Sequence, residues 1–202
     1  QFAKFCMSAA SVQLHQIKAY KFGSKGRREE KDPSPGAVAE RTRAKYEREG
    51  QRRSVEGILL VVEHSHPHVL LLQVGQGVFR LPGGKLRPGE SESEGLKRKL
   101  TDKLGPATGT VPNWEIGELV ATFWRPNFEP AYYPYVPPHI TKPKECKKLF
   151  VIQLPEQCYF AVPKNLKLIA VPLFELHDNS ARYGPIISSI PTLLSRFHLN
   201  TV

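Results

Sequence analysis

The chain has 202 residues, 40% of them apolar and 24% charged, with 29 lysines and arginines against 19 aspartates and glutamates. Such a composition excludes wholesale disorder, and the longest apolar runs, Ile58–Val62 and Val69–Leu72, fall far short of the roughly 20 residues of a membrane-spanning helix. A formal charge of +10 points to an acidic partner, nucleic acid before an anionic membrane surface.

Residues 13–36 are polar and carry Gly23, Gly26, Pro33, Pro35 and Gly36, which predicts an extended or irregular N-terminal arm over 1–36, ahead of a folded domain over 37–202. From Ala37 to Glu49 helix formers run without a breaker, and Gly50 follows as the residue past the helix end. Gly57–Glu63 and His68–Val74 read as two strands buried on both faces, with a turn at Ser65-His66-Pro67. The alternating His64, His66 and His68 fit that turn better than a metal site. Leu81-Pro82-Gly83-Gly84 breaks the pattern, and a loop continues through Gly89. Leu96, Leu100 and Leu104 then recur every four residues, one face of a helix from Ser91 to Leu104. Glu115–Trp124 and Lys147–Leu154 predict further strands around a Pro- and Tyr-rich loop over 125–144. Leu168–Leu176 reads as a strand or short helix, and Ile186–Phe197 as a helix interrupted by Pro191.

The positive charge is uneven. Net charges of +7 over residues 1–53, +3 over 80–103 and +3 over 141–148 would form a phosphate track if the three stretches converged. Cys6, Cys146 and Cys158 form no CxxC pair and read as free thiols of a reducing compartment.

The span from Gly84 to Gly105 resembles the Nudix box, G-x5-E-x7-R-E-U-x-E-E-x-G-U, with Gly84, Glu90, Arg98, Leu100 and Gly105 matching. The resemblance implies an α/β fold: a Nudix α/β/α sandwich with a mixed sheet, here preceded by an extended N-terminal arm and helix. Nudix hydrolases cleave a nucleoside diphosphate linked to something else, with Mg²⁺ held by the glutamates of the box. In this chain Lys99 replaces the glutamate after the arginine, and Asp102-Lys103 replaces the paired glutamates. A like charge about 4 Å from a cation costs roughly 1 kcal/mol in water and about 4 at an effective dielectric of 20, doubled for a divalent ion. No catalytic residue, metal site or cofactor is therefore expected.

Longer strings carry a closer resemblance. They include Ser54-Val55-Glu56-Gly57, PHVLLLQ at 67–73, LPGG at 81–84, WRPNFEP at 124–130, Tyr133-Pro134-Tyr135, HITKPKE at 139–145, AVPKN at 161–165, PLFEL at 172–176 and YGPIIS at 183–188. From about His15 to Phe197 the chain is similar to the small (25-kDa) subunit of cleavage factor I, an mRNA 3′-end processing factor, and nearer its plant versions. The resemblance implies a nuclear, non-hydrolytic homodimer. Such a dimer binds UGUA elements in single-stranded RNA upstream of poly(A) sites and influences the choice of site. It also implies a larger subunit with an RNA-recognition domain and other 3′-end processing factors as partners, and no membrane.

By position, the family's guanine-reading glutamate falls at Glu30, and Glu56, Leu81, Tyr183 and Gly184 match further members of its RNA pocket. The family's arginine on the first helix falls at Val38 without a gap, but the string Val38-Ala39-Glu40-Arg41 favours Arg41. The stacking phenylalanine falls at Val78, followed by Phe79. Stacking on an aromatic ring contributes about 1–3 kcal/mol per base, so binding weakens unless Phe79 substitutes. Tyr133 and Tyr135 match the loop that meets the larger subunit, within an aromatic-rich loop that reads as an interface. A carboxylate accepts two hydrogen bonds from the guanine Watson–Crick edge that a single strand exposes, which suits Glu30 and Glu56. Two alternatives remain open: residual hydrolysis of dinucleoside polyphosphates on Glu90, Glu94, Arg98 and Asp102, and an assembly subunit without RNA contact of its own.

Overall fold

A computed structural model describes residues 10–27, 35–75, 77–107 and 112–202. Glu30 and Cys6 lie outside the described residues.

The chain begins with β1 (Ser11–Leu14), a single 3-10 turn at Ile17–Ala19 and β2 (Tyr20–Lys25). Helix α1 (Pro35–Glu49) stops at Gly50, whose φ of +71° suits a residue without Cβ. The hairpin β3 (Arg52–Glu63) and β4 (His66–Val74) turns on His64 and Ser65, with φ of 49° and 63°. Pro67 therefore sits inside the ladder opposite Val62, and the turn lies earlier than the proline suggests. Next come β5 (Val78–Arg80), β6 (Gly83–Lys85), α2 (Glu92–Leu104), β7 (Glu115–Arg125), β8 (Glu145–Gln153), β9 (Cys158–Pro163) and β10 (Leu166–Pro172). Four short helices follow, α3 (Leu173–Leu176), α4 (Ser180–Tyr183), α5 (Pro185–Ser188) and α6 (Ile190–Leu194), and then β11 (His198–Thr201).

Seven strands form one mixed sheet in the order β10-β4-β3-β8-β7, with β5 against β4 and β6 against β3. Only the β3–β8 ladder in it is parallel. The central strand β3 is buried on both faces, which is why it reads as a nearly continuous apolar run. On one face Ile58, Leu60 and Val62 meet Leu14, Leu71 and the short-helix residues Leu176, Ile187, Ile190 and Leu194. On the other, Val55, Leu59 and Val61 meet Leu96, Leu100 and Leu104 of α2, together with Trp114 and Phe160. Helices thus cover both faces of the sheet, the α/β/α sandwich of the Nudix fold. Among the described residues no helix is long and apolar enough to cross a membrane.

The polar lead-in is more ordered than its composition suggests. β1 pairs with β11 and β2 with β9, both parallel, and Val12, Leu14 and Tyr20 are buried. The stretch Leu168–Leu176 divides at Pro172 into strand and helix, and the helix expected over Ile186–Phe197 is split at Ser189 into α5 and α6, with Pro191 in the first turn of α6, and ends at Leu194. Cys146 and Cys158 are buried free thiols, and burial pushes Cys158 up to about 11.

Candidate nucleic-acid interface

The face of the sheet away from α2 carries an aromatic and charged cluster. In the ladder of β3 and β6, Glu56 lies opposite Gly83. A Cβ on Gly83 would stand 2.2 Å from the Val55 carbonyl oxygen and 3.0 Å from Glu56 Cγ, so only glycine lets β6 approach. Strand alternation puts Phe79 and Leu81 on the same face as Glu56. Leu81 is buried with Ile58 and Tyr183, and Phe79 packs against them. The Phe79 and Tyr183 rings are 4.8 Å apart at 46°. The Arg182 guanidinium lies 5.9 Å from the Phe79 ring centre and 5.2 Å from that of Tyr183. Glu175 accepts hydrogen bonds from the Tyr183 hydroxyl and, at 2.9 Å, from Arg182. Burial first, and Glu175 second, push Tyr183 up to about 12, so its hydroxyl stays a neutral donor at physiological pH. Gly184, at φ +81°, ends α4, and an added Cβ there would meet open space.

Glu56 is held by Lys147 at 2.8 Å, and the same ammonium lies 4.9 Å from the Tyr132 ring centre. The Tyr132 hydroxyl donates to Glu145 at 3.0 Å, as does Ser54 at 2.7 Å. Glu145 is 3% exposed, and Arg52 and Arg125 neutralise it at 3.3 and 3.1 Å. One polar seam thus runs from Arg52 to Glu56.

The Nudix-box residues lie at the start of α2. Ser91 caps the helix by accepting from the Glu94 N–H at 3.3 Å, and its hydroxyl donates to the Glu94 carboxylate at 2.6 Å. Both oxygens of Glu90 are engaged: Arg98 donates to each, at 2.6 and 2.7 Å, and the Arg87 N–H adds a third bond at 2.8 Å. These donors pull the Glu90 carboxyl down to about 2. A Cβ on Gly84 would stand 3.3 Å from Lys99 Cδ and Cε, so the Lys99 stem runs along the glycine loop. Among the described residues no three His, Cys, Asp or Glu side chains are grouped to hold a metal. With both Glu90 oxygens taken by Arg98 and the Arg87 N–H, and the Lys99 stem along the glycine loop, the donors present are a poor match for a divalent ion.

A Nudix family model described as "Nucleotide hydrolase" matches residues 10–197. The chain is 60% identical over 192 residues to pre-mRNA cleavage factor Im 25 kDa subunit 2 of Arabidopsis thaliana, across 95% of this chain and 96% of that protein. The chain belongs to the cleavage factor Im 25-kDa family. Cleavage and polyadenylation specificity factor subunit 5 of Dictyostelium discoideum is 55% identical over 195 residues, 95% of this chain and 96% of that one. A second Arabidopsis thaliana protein, pre-mRNA cleavage factor Im 25 kDa subunit 1, is 50% identical over 190 residues, 94% of this chain and 86% of that one.

In this member of the cleavage factor Im 25-kDa family, the fold gathers Glu56, Phe79, Leu81, Tyr183 and Gly184 around one face of the sheet. It does not bring Val78 to them: that side chain is 49% exposed and points to the face opposite Phe79. Arg41 and Val38 are exposed on α1, where Arg41 lines a separate cleft against the Nudix loop. Tyr133 and Tyr135 are exposed with rings 5.9 Å apart, and Tyr133 exchanges backbone hydrogen bonds with Trp124 at 2.7 and 2.8 Å. Sequence reasoning missed Arg182, Glu175 and Lys147. The first two stand inside or beside the strings PLFEL and YGPIIS, a signal that tied them to Tyr183 without showing the contact.

Proposed function

We propose that this chain is a non-catalytic Nudix-fold subunit of the nuclear pre-mRNA cleavage and polyadenylation machinery. It recognises UGUA in single-stranded RNA upstream of poly(A) sites and influences the choice of site as a homodimer. The observation that carries the reading is the Phe79–Tyr183 pair, 4.8 Å apart, on the same sheet face as Glu56. Phe79, half-buried over the buried Tyr183, stacks a base, and Glu56 accepts from a base edge. From the family resemblance, Glu30, in the arm of residues 1–36 and outside the described residues, reads the guanine, and Arg41, in the Nudix-like domain of 37–202, contacts the strand from the cleft it lines, with Phe79 taking the stacking role that the family places at Val78. Tyr133 and Tyr135 receive the larger subunit with its RNA-recognition domain, which links the dimer to other 3′-end processing factors. The names of the relatives, 50–60% identical, support the assignment to 3′-end processing.

Titration of the isolated protein with UGUA RNA and a scrambled control in roughly 0.15 M salt tests it; for single strands the log-log salt slope falls by about 0.7 per phosphate contacted. Preference for UGUA is the expected result, and equal affinity for the two RNAs rejects the reading. Incubation with diadenosine polyphosphates and Mg²⁺ or Mn²⁺ is expected to yield no product. Hydrolysis that disappears in Glu90→Gln would restore the enzyme.

A further inference from the structure

The three basic stretches of the sequence meet. Helix α1, the loop before α2, α2 itself and the segment entering β8 enclose a cleft of about 400 Å³ lined by eight lysine and arginine side chains and one carboxylate, Glu49. Arg41 and Lys45 come from the first stretch, Lys85, Arg87 and Lys99 from the second, and Lys144 from the third. Of the eight, Lys85 is ion-paired with Glu49, Arg98 with Glu90 and Arg52 with Glu145, and the excess of positive charge that is left along a concave wall concentrates the potential that attracts an anion. Two half-buried rings stand in the same wall: Tyr46 and Phe128 meet edge to face at 5.7 Å, and Lys144 Nζ sits 4.2 Å from the Tyr46 ring centre. Cations strung along a groove with aromatic rings between them suit a single strand, whose backbone follows the charges while a base finds a ring. A compact anion would engage only a few of these donors. The groove also adjoins the pocket described above, because Arg52 in its wall begins the seam through Glu145, Tyr132 and Lys147 to Glu56.

We infer that this cleft is a second RNA contact, holding the phosphodiester backbone of nucleotides that flank the UGUA element without reading their bases. The inference rests on the proposed function for the course of the strand, and its test separates the two. Two flanking phosphates held there steepen the log-log salt slope by about 1.4.

The test is fluorescence anisotropy with the full chain between 0.05 and 0.3 M salt. It compares a hexamer containing UGUA with the same element carrying six uridines on each side, for wild type and for Lys45→Glu/Lys99→Glu. The long RNA is expected to bind about 10-fold tighter at low salt with the steeper slope. The double variant should lose that gain while keeping the hexamer affinity and the wild-type melting temperature. Equal slopes for the two RNAs, or a variant that weakens both equally, overturns the cleft. UGUA preference with equal slopes keeps the pocket and removes the cleft; a variant-sensitive slope on a scrambled element keeps the cleft and removes the UGUA reading. Tripolyphosphate is the free-anion control: its binding, abolished in the variant, together with no gain from RNA flanks, overturns the RNA assignment in favour of a free polyphosphate.

Discussion

Both oxygens of Glu90 are spent on Arg98 and the Arg87 N–H, and this has an acid–base consequence. The carboxyl sits near 2 in the folded chain against an ordinary value of 4.5, so its contribution to stability is complete above about pH 4.5 and disappears as pH falls through about 2. The stability gap between wild type and Glu90→Gln, followed by denaturant melts, should narrow over that window; a gap constant with pH contradicts the pairing. Gly83 makes a second case. Any Cβ there would meet backbone at 2.2 Å, which no side-chain shift relieves. Gly83→Ala should cost at least the roughly 1–3 kcal/mol of an overpacked core, read as a lower denaturation midpoint. At this scale the sequence showed the residue types but not their neighbours. Lys99 and Lys103 carried the expectation of no metal site, whereas the Arg98 clamp on Glu90 joins residues eight apart and needs the loop geometry.

The second helix was legible because its leucines repeat every four residues; the local cap of Ser91 on the Glu94 N–H came only with the structure. Leu96, Leu100 and Leu104 are all fully buried against the sheet. Leu100→Ala should cost about 2–5 kcal/mol in equilibrium unfolding, a range set by how far the site collapses; a loss under about 1 kcal/mol would mean that α2 does not seal that face. The first two strands and β9 were not legible. Tyr20 pairs with Cys158 and Ser11 with His198, so the partners are distant in the chain and leave no mark in local periodicity. In the C-terminal segment Pro191 pointed to an interruption of the helix over Ile186–Phe197, but the break falls two residues earlier, at Ser189, because a proline is accommodated in the first turn of the short α6. The β5 strand is the instructive case: alignment by position puts the stacking residue at Val78, and strand alternation turns Phe79, not Val78, toward Tyr183.

For the molecule as a whole, the β1–β11 ladder ties residues 11–14 to residues 198–201 and covers the apolar cluster at Val12 and Leu14. Deletion of residues 198–202 should lower the melting temperature by several degrees, since it strips that ladder; an unchanged melt would show that the ladder is not needed to hold β1. The fold's two faces differ: α2 and the Nudix loop cover one, and the other carries Glu56, Phe79 and Tyr183, where the proposed RNA contact lies. The most direct measurement is the affinity ratio of UGUA to scrambled RNA for Phe79→Ala beside Val78→Ala, with melting temperatures to confirm folding. Phe79→Ala should lose about 5- to 150-fold in UGUA affinity, the equivalent of about 1–3 kcal/mol of stacking, while Val78→Ala stays within about 2-fold of wild type. The reverse pattern, with Val78→Ala losing selectivity and Phe79→Ala retaining it, would contradict the account.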